Sequence, residues 1–127
     1  MSYNEKLEDW VDHYFIDYED LTKKKQMGGV GWLLNGNMCV GVYEDLLVIR
    51  MEPDLSESLV QKEGISHFQQ AEEELDQFIS LTSTIYEHPK ALHKFLNHAY
   101  DFTGTLPPKE HDTPSLDEDD IKQQSGE

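Results

Sequence analysis

The stretch that decides the fold is Val30-Gly31-Trp32-Leu33-Leu34-Asn35-Gly36-Asn37-Met38-Cys39-Val40-Gly41-Val42-Tyr43-Glu44-Asp45-Leu46-Leu47-Val48-Ile49-Arg50-Met51. Its apolar period is two. Val30, Trp32 and Leu34 share one face, Met38, Val40 and Val42 the next set, and Leu47, Ile49 and Met51 a third. Successive side chains of a strand point to opposite faces, so this pattern reads as three half-buried strands. Asn35-Gly36 between the first two is a turn signal, because both residues tolerate positive φ. Glu44-Asp45 makes the second turn, and the three strands form an antiparallel meander. Leu33, Leu46 and Val48 fall on the other face, so part of that face is expected to be covered by chain or partner. Cys39, Gly41 and Tyr43 are assigned to it as well.

Outward from the meander the period changes to that of helices. Tyr3, Leu7, Trp10, Val11, Tyr14, Phe15 and Tyr18 form one stripe, with Glu5, Glu8, Asp9 and Asp12 mostly opposite, which predicts a helix over about 3–16 opened by a Ser2–Glu5 capping box. Downstream, Pro53 closes the meander. Ser56 to Lys62 reads as a short helix ending at Gly64, and 69–77 as a polar, helix-tolerant run. Phe78 to Tyr86, rich in β-branched residues, reads as a strand. Pro89 opens a last helix with a stripe of Leu92, Phe95, Leu96 and Ala99, stopped after Phe102 by Gly104 and Pro107-Pro108. Two one-striped helices need a common surface, so the economical fold is α+β, with an antiparallel sheet and helices on one face. The domain is expected over 1–102. Residues 103–127, with seven acids, two lysines and little apolar content, are expected to be a disordered tail.

Charge removes several function classes. The chain holds 26 Asp+Glu against 10 Lys+Arg, net −16 over 127 residues. Nucleic acid and anionic membranes are bound through Lys and Arg, and this field repels both. The only basic cluster is Lys23-Lys24-Lys25, which gives the segment 21–51 a net +2. No apolar run has the roughly 20 residues that span a bilayer, and no signal segment opens the chain, so a cytoplasmic location is expected. Cys39 is the single cysteine, so no internal disulfide forms.

Catalytic and metal patterns are weak throughout. His88, His93 and His98 are five residues apart, which turns successive rings about 140° around a helix, where ligation from one helix needs spacings of three or four. Asp9 with His13 reads as a solvated pair, and His67 beside Phe68 reads as a lone loop histidine without a functional role. Gly28-Gly29-Val30-Gly31 lacks the Lys-Ser/Thr of a phosphate loop, no Gly-x-Ser-x-Gly elbow occurs, and mid-strand Cys39 reads as a small apolar residue. The acids Glu72-Glu73-Glu74 and Asp76 read as a solvated face. No enzyme, cofactor or metal is expected. Arg50, the only arginine, lies opposite Leu47 and Ile49 on its strand, where a guanidinium fork suits a carboxylate of a partner, a ligand or the chain itself. Arg50 and Lys23, Lys24 and Lys25 are the candidate contact residues; Gly28, Gly29, Asn35 and Gly36 are the turn residues.

The segment Lys25-Gln26-Met27-Gly28-Gly29-Val30-Gly31-Trp32-Leu33-Leu34-Asn35-Gly36-Asn37-Met38, continued by Cys39 to Arg50, resembles the TfoX N-terminal domain family. Members have Met-Phe-Gly-Gly before an apolar strand, an Asn-Gly-type turn, a second strand near Gly-Val and a third with a terminal Arg or Lys. Leu106-Pro107-Pro108-Lys109 matches how stand-alone members end, and the likeness covers roughly 3–109, sharpest over 25–51. Met27 replaces the family's aromatic, and Gln69-Gln70-Ala71-Glu72 stands where similar members carry Asp-Phe-Thr-Gly. The literal Asp101-Phe102-Thr103-Gly104 comes after the last helix. The resemblance implies helix–three strands–helix–two strands–helix, a two-layer outline similar to type III secretion chaperones. The family's named member is a bacterial regulator of competence genes with a second, C-terminal domain. A non-enzymatic regulatory or adaptor domain acting on a protein partner is therefore expected. The alternative is an acidic chaperone-like protein that binds an apolar peptide segment, as a homodimer.

Overall fold

The computed structural model describes residues 3–26, 28–70 and 73–109, and its order is α1 (Glu5–Tyr14), β1 (Leu21–Gln26), β2 (Gly29–Leu34), β3 (Asn37–Tyr43), β4 (Leu46–Arg50), α2 (Pro53–Leu59), β5 (Ile65–Gln70), β6 (Glu73–Leu81), α3 (Ser83–Tyr86) and α4 (Pro89–Thr103). The strands form one antiparallel sheet in the order β1-β2-β3-β4-β6-β5. The fold is α+β, with the helices packed on one face. The meander is built as its turns dictate. Asn35 and Gly36 both take positive φ, 55° and 83°, as a two-residue hairpin of matching twist requires. Val30 pairs with Val42, and Val40 with Ile49, so the apolar sets line up across the sheet. Leu7, Val11, Trp32, Val40, Ile49, Ile79 and Leu96 belong to a single core between sheet and helices. No helix of the described residues is long and apolar enough to cross a membrane.

Several elements differ from the expectation. Leu21–Gln26, not assigned from sequence, is an edge strand that makes the meander four-stranded. Its lysines replace apolar alternation, a common protection for an exposed edge. Of the run 69–77, residues 69–70 and 73–77 are strand rather than helix, and 71–72 lie outside the described residues. β5 and β6 form a hairpin whose far end, Phe68↔Leu75 to Gln70↔Glu73, extends past the last pairing with β4 at Arg50↔Phe78. A two-stranded ribbon beyond the sheet has no need of the alternation that a core-covered strand shows, and its sequence is mostly polar. The strand expected over 78–86 stops at Leu81. Residues 83–86 turn into α3, which seats Tyr86 in the core with its hydroxyl donating to Asp45 O at 2.8 Å. Pro53 does not only end β4 but opens α2, which runs 53–59 rather than 56–62. α1 is capped by Asn4, whose Oδ1 accepts from the Leu7 N–H at 3.0 Å; Ser2 of the expected capping box lies outside the described residues.

A bulge corrects the facing of Cys39. Trp32 pairs with Val40 but Leu33 with Met38, so Cys39 is an extra residue in β3. Cys39 therefore joins Val40 on the helix side, fully buried beside Thr103 of α4, while Met38 moves to the opposite face. There its thioether lies against Gly31 and Gly41, a cross-strand pair; a Cβ on either would approach it to 3.3 and 3.1 Å. On this helix-free face Val48 and Phe68 are buried outside the main core. The rings of Tyr43 (β3) and Phe68 (β5) meet there at 5.8 Å, although three strand steps of a flat sheet measure about 14 Å. The sheet is therefore curled, concave on the helix-free side, and covers its own second face in part.

α4 passes the expected boundary at 102 through Thr103, which is fully buried. The chain to Lys109 lies across the β2–β3 turn, with Lys109 N–H donating to Asn35 O (2.8 Å) and Asn37 Nδ2 to Pro107 O (3.0 Å). A Cβ on Gly36 would stand 2.6 Å from Lys109 O, so the turn needs glycine for space as well as for φ. Of the expected tail, 110–127 lies outside the described residues.

Candidate functional site

The three lysines do not form one patch, because a strand's pleat separates neighbours. Lys23 and Lys25 point to the α1 side. Lys23 Nζ sits 2.6 Å from both Glu8 Oε2 and Asp12 Oδ2 and 5.5 Å above the Trp32 ring. Asp12 also accepts from Trp32 Nε1 at 3.2 Å. Burial alone would lower the Lys23 pKa, but its hydrogen bonds and charge pairing with the two carboxylates raise it. Lys25 lies over the Tyr3 ring at 6.0 Å, and its pKa is raised, first by the Tyr3 hydrogen bond. Lys24 is exposed on the opposite side. Two of the three lysines are thus spent on holding α1 to the edge strand.

Arg50 is also used within the fold, though not by an acid. It ends β4, between β3 and β6, and its head ties both neighbours. Nε donates to Met38 O and Nη1 to Gln77 Oε1, each at 2.6 Å, with the guanidinium 4.5 Å from the Phe78 ring centroid. Burial lowers its pKa. Gly28, before β2, has φ 82°. At Gly29 the constraint is space, since a Cβ would stand 2.6 Å from Val42 O. The structure thus places Arg50 and the lysines apart, with no shared site; Met27, beside the glycine pair, lies outside the described residues.

Chemistry at the remaining candidates is similarly bound up. Cys39 is buried and its thiol pushed up to about 12, mainly by burial, which leaves almost no thiolate near neutral pH. His67 Nε2 is 3.3 Å from Glu57 Oε2, and His93 stacks on Tyr14 at 5.0 Å between ring centroids. Among the described residues no three His, Cys, Asp or Glu side chains converge as metal ligands.

A concave feature lies between α2 and α4, a cavity of ≈ 390 Å³. α2 has only seven residues, and Ala91 on α4 is too small to close the gap. The floor is Met51 and Ile65; the walls are Leu55, Leu59, Ile85 and Phe95. Leu55 is 39% exposed, one of two large apolar side chains so exposed among the described residues. The rim carries Lys62, Lys94 and His98. His98 Nε2 is held 2.6 Å from Glu52 Oε1. Burial would raise the Glu52 pKa, but the His98 contact and a backbone hydrogen bond together outweigh it and the pKa is lowered. Neither Lys62 nor Lys94 makes an ion pair with a described residue. The groove thus offers apolar contact flanked by two unneutralised ammonium groups, in a chain of net −16. Sequence reasoning did not find it. The signals are the i,i+4 pairs Leu55/Leu59, Ala91/Phe95 and Lys94/His98, which become one surface only when α2 and α4 lie side by side.

A second, smaller cavity of ≈ 180 Å³ lies where α1 meets the start of α4, beside Trp10, His13, Pro89 and His93.

In the comparisons, the family model described as TfoX N-terminal domain matches residues 13–103, from within α1 to the last residue of α4 and so across every strand. No curated protein and no solved structure matches the chain.

Proposed function

The chain belongs to the TfoX N-terminal domain family, and we propose that it is a non-enzymatic regulatory or adaptor domain that acts by protein contact through the α2–α4 groove. The observation that carries this reading is the groove itself: open apolar walls at Leu55 and Phe95, with Lys62 and Lys94 at the rim and in no ion pair with a described residue. Such a surface suits an apolar segment that also bears carboxylates, since apolar burial supplies affinity and the ammonium groups supply orientation. The buried high-pKa thiol of Cys39 supports a non-catalytic role. Absence of direct nucleic-acid binding is supported by the pairing of Lys23 with Glu8 and Asp12, which neutralises one of the three lysines of β1.

The test is affinity capture from the native host with the wild-type chain and with Leu55→Asp and Phe95→Asp in parallel. A partner retained by the wild type and lost by both variants, whose circular dichroism remains native, is the expected result. Capture that both variants leave unchanged would remove the groove from the account. DNA binding at physiological salt with a steep salt slope would overturn the reading altogether. Light scattering tests the chaperone-like alternative, which requires a dimer.

A further inference from the structure

The groove has a candidate occupant in the same chain. Residues 110–127 read Glu110-His111-Asp112-Thr113-Pro114-Ser115-Leu116-Asp117-Glu118-Asp119-Asp120-Ile121-Lys122-Gln123-Gln124-Ser125-Gly126-Glu127. Seven acids face one lysine, and four of the acids, Asp117 to Asp120, lie between the two large apolar residues, Leu116 and Ile121. This is the chemistry the groove suits: two apolar anchors and a run of carboxylates for walls of Leu55 and Phe95 and a rim of Lys62 and Lys94. We propose that Leu116–Ile121 docks into the α2–α4 groove of its own chain and competes there with the protein partner. This rests on the reading of the groove as a docking site.

Reach permits it. Lys109 is fixed at the β2–β3 turn by its bond to Asn35 O. Leu116 follows seven residues later, about 23 Å of extended chain, and Ile121 twelve residues later, about 40 Å. Lys94 lies nine residues before Thr103 at the end of α4, about 14 Å along the helix axis. The tether also favours the segment. A covalently linked occupant acts at an effective concentration on the order of 1 mM, so even an intrinsically weak contact fills the groove part of the time. Lys23 is already held by Glu8 and Asp12, whereas Lys62 and Lys94 make no ion pair with a described residue, so the groove rim offers an acidic segment unneutralised charge beside open apolar surface.

A nitroxide on Gln123→Cys in the otherwise complete chain tests this directly, because Cys39 is buried with its thiol pushed up to about 12 and does not compete for the label. The expected result is selective broadening of the Leu55, Leu59 and Phe95 amides, weakened by salt and abolished by Leu116→Ser/Ile121→Ser. Mixing labelled chain with unlabelled ¹⁵N chain should produce no such broadening. Broadening spread evenly, centred on another surface, or present only in the mixed sample, which would make a second copy the occupant, overturns the proposal. The same Leu116→Ser/Ile121→Ser chain should bind the captured partner about two- to tenfold more tightly, the gain expected when a partly filled site is freed. If Leu55→Asp abolishes partner binding while the label leaves the groove amides sharp, the docking site stands and its occupation by this segment falls. If the label broadens the groove but Leu55→Asp leaves the partner bound, the failure is that of the docking site.

Discussion

The two flanks of the helix layer were built from the same kinds of residue and ended in opposite states. Where α1 covers β1 and β2, Lys23 is shared between Glu8 and Asp12, Asp12 also holds the Trp32 indole, and Leu7 and Val11 are fully buried. Where α2 covers β5 and β6 beside α4, Met51 and Ile65 are buried, yet Leu55 stays open and Lys62 and Lys94 face no described carboxylate. The difference follows from helix length and side-chain size. α1 has ten residues with bulky side chains toward the sheet, whereas α2 has seven and meets Ala91. A short helix leaves unused the surface a longer one would have sealed. That contrast, rather than any single residue, separates the flank that holds the fold from the flank available for contact.

Truncation should break the symmetry most visibly. Leu7→Ala on the closed flank is expected to cost about 2–5 kcal/mol, because it leaves a cavity in a packed core. Leu55→Ala on the open flank should cost about 1 kcal/mol or less; urea midpoints measure both. Next in size is the loss of a cation. Lys23→Met leaves Glu8, whose side chain is only 10% exposed, beside Asp12 without its shared partner, and should destabilise by about 1 kcal/mol after allowance for solvent screening. Lys94→Met should fall within about 0.5 kcal/mol of the wild type under the same assay. A lysine that matters equally on both flanks would erase the distinction.

The smallest effect sharpens it through pH. Glu52 at the groove rim has a folded pKa below its ordinary value of 4.5. A carboxylate with a depressed folded pKa contributes stability that is present above the unfolded pKa and lost as pH falls through the folded one. The stability gap between wild type and Glu52→Gln should therefore be full above about pH 4.5 and shrink below it, as denaturant titrations between pH 3 and 6 would record. A constant gap across that range would mean that the His98 contact does not set the Glu52 titration.

The legible part of the fold was the part with a period. The stripe from Leu7 to Phe15, the alternation from Val30 to Met51 and the Asn35-Gly36 turn each encode a local face, and each is found where the pattern puts it except at Met38 and Cys39, whose faces the bulge exchanges. β1 was hidden because an edge strand of lysines has no apolar alternation to show. The polar end of the β5–β6 hairpin was hidden because it pairs beyond the sheet, and α3 because Thr84 and Ile85 favour strand locally while Tyr86 is turned inward by a bond to Asp45. Of the candidate site, Arg50 stood out by being unique. Its partners, a main-chain carbonyl freed near a bulge and a glutamine on another strand, leave no trace in spacing. The groove is a product of helix juxtaposition, which no local pattern records.

The contacts at Asn4 carry a consequence for the order of assembly. The Asn4 N–H donates to Glu44 O and Tyr86 OH to Asp45 O, so one tight turn has its carbonyls satisfied by residues about forty positions away on either side. Closing such separations costs loop entropy before any contact repays it, whereas the hairpins on either side of residue 40 close locally. The turn is thus expected to form early and to be clasped late, by α1 from one end of the chain and α3 from the other. Breaking the side-chain half of that clasp with Tyr86→Phe, which deletes the hydroxyl that donates to Asp45 O, should quicken unfolding far more than it slows folding.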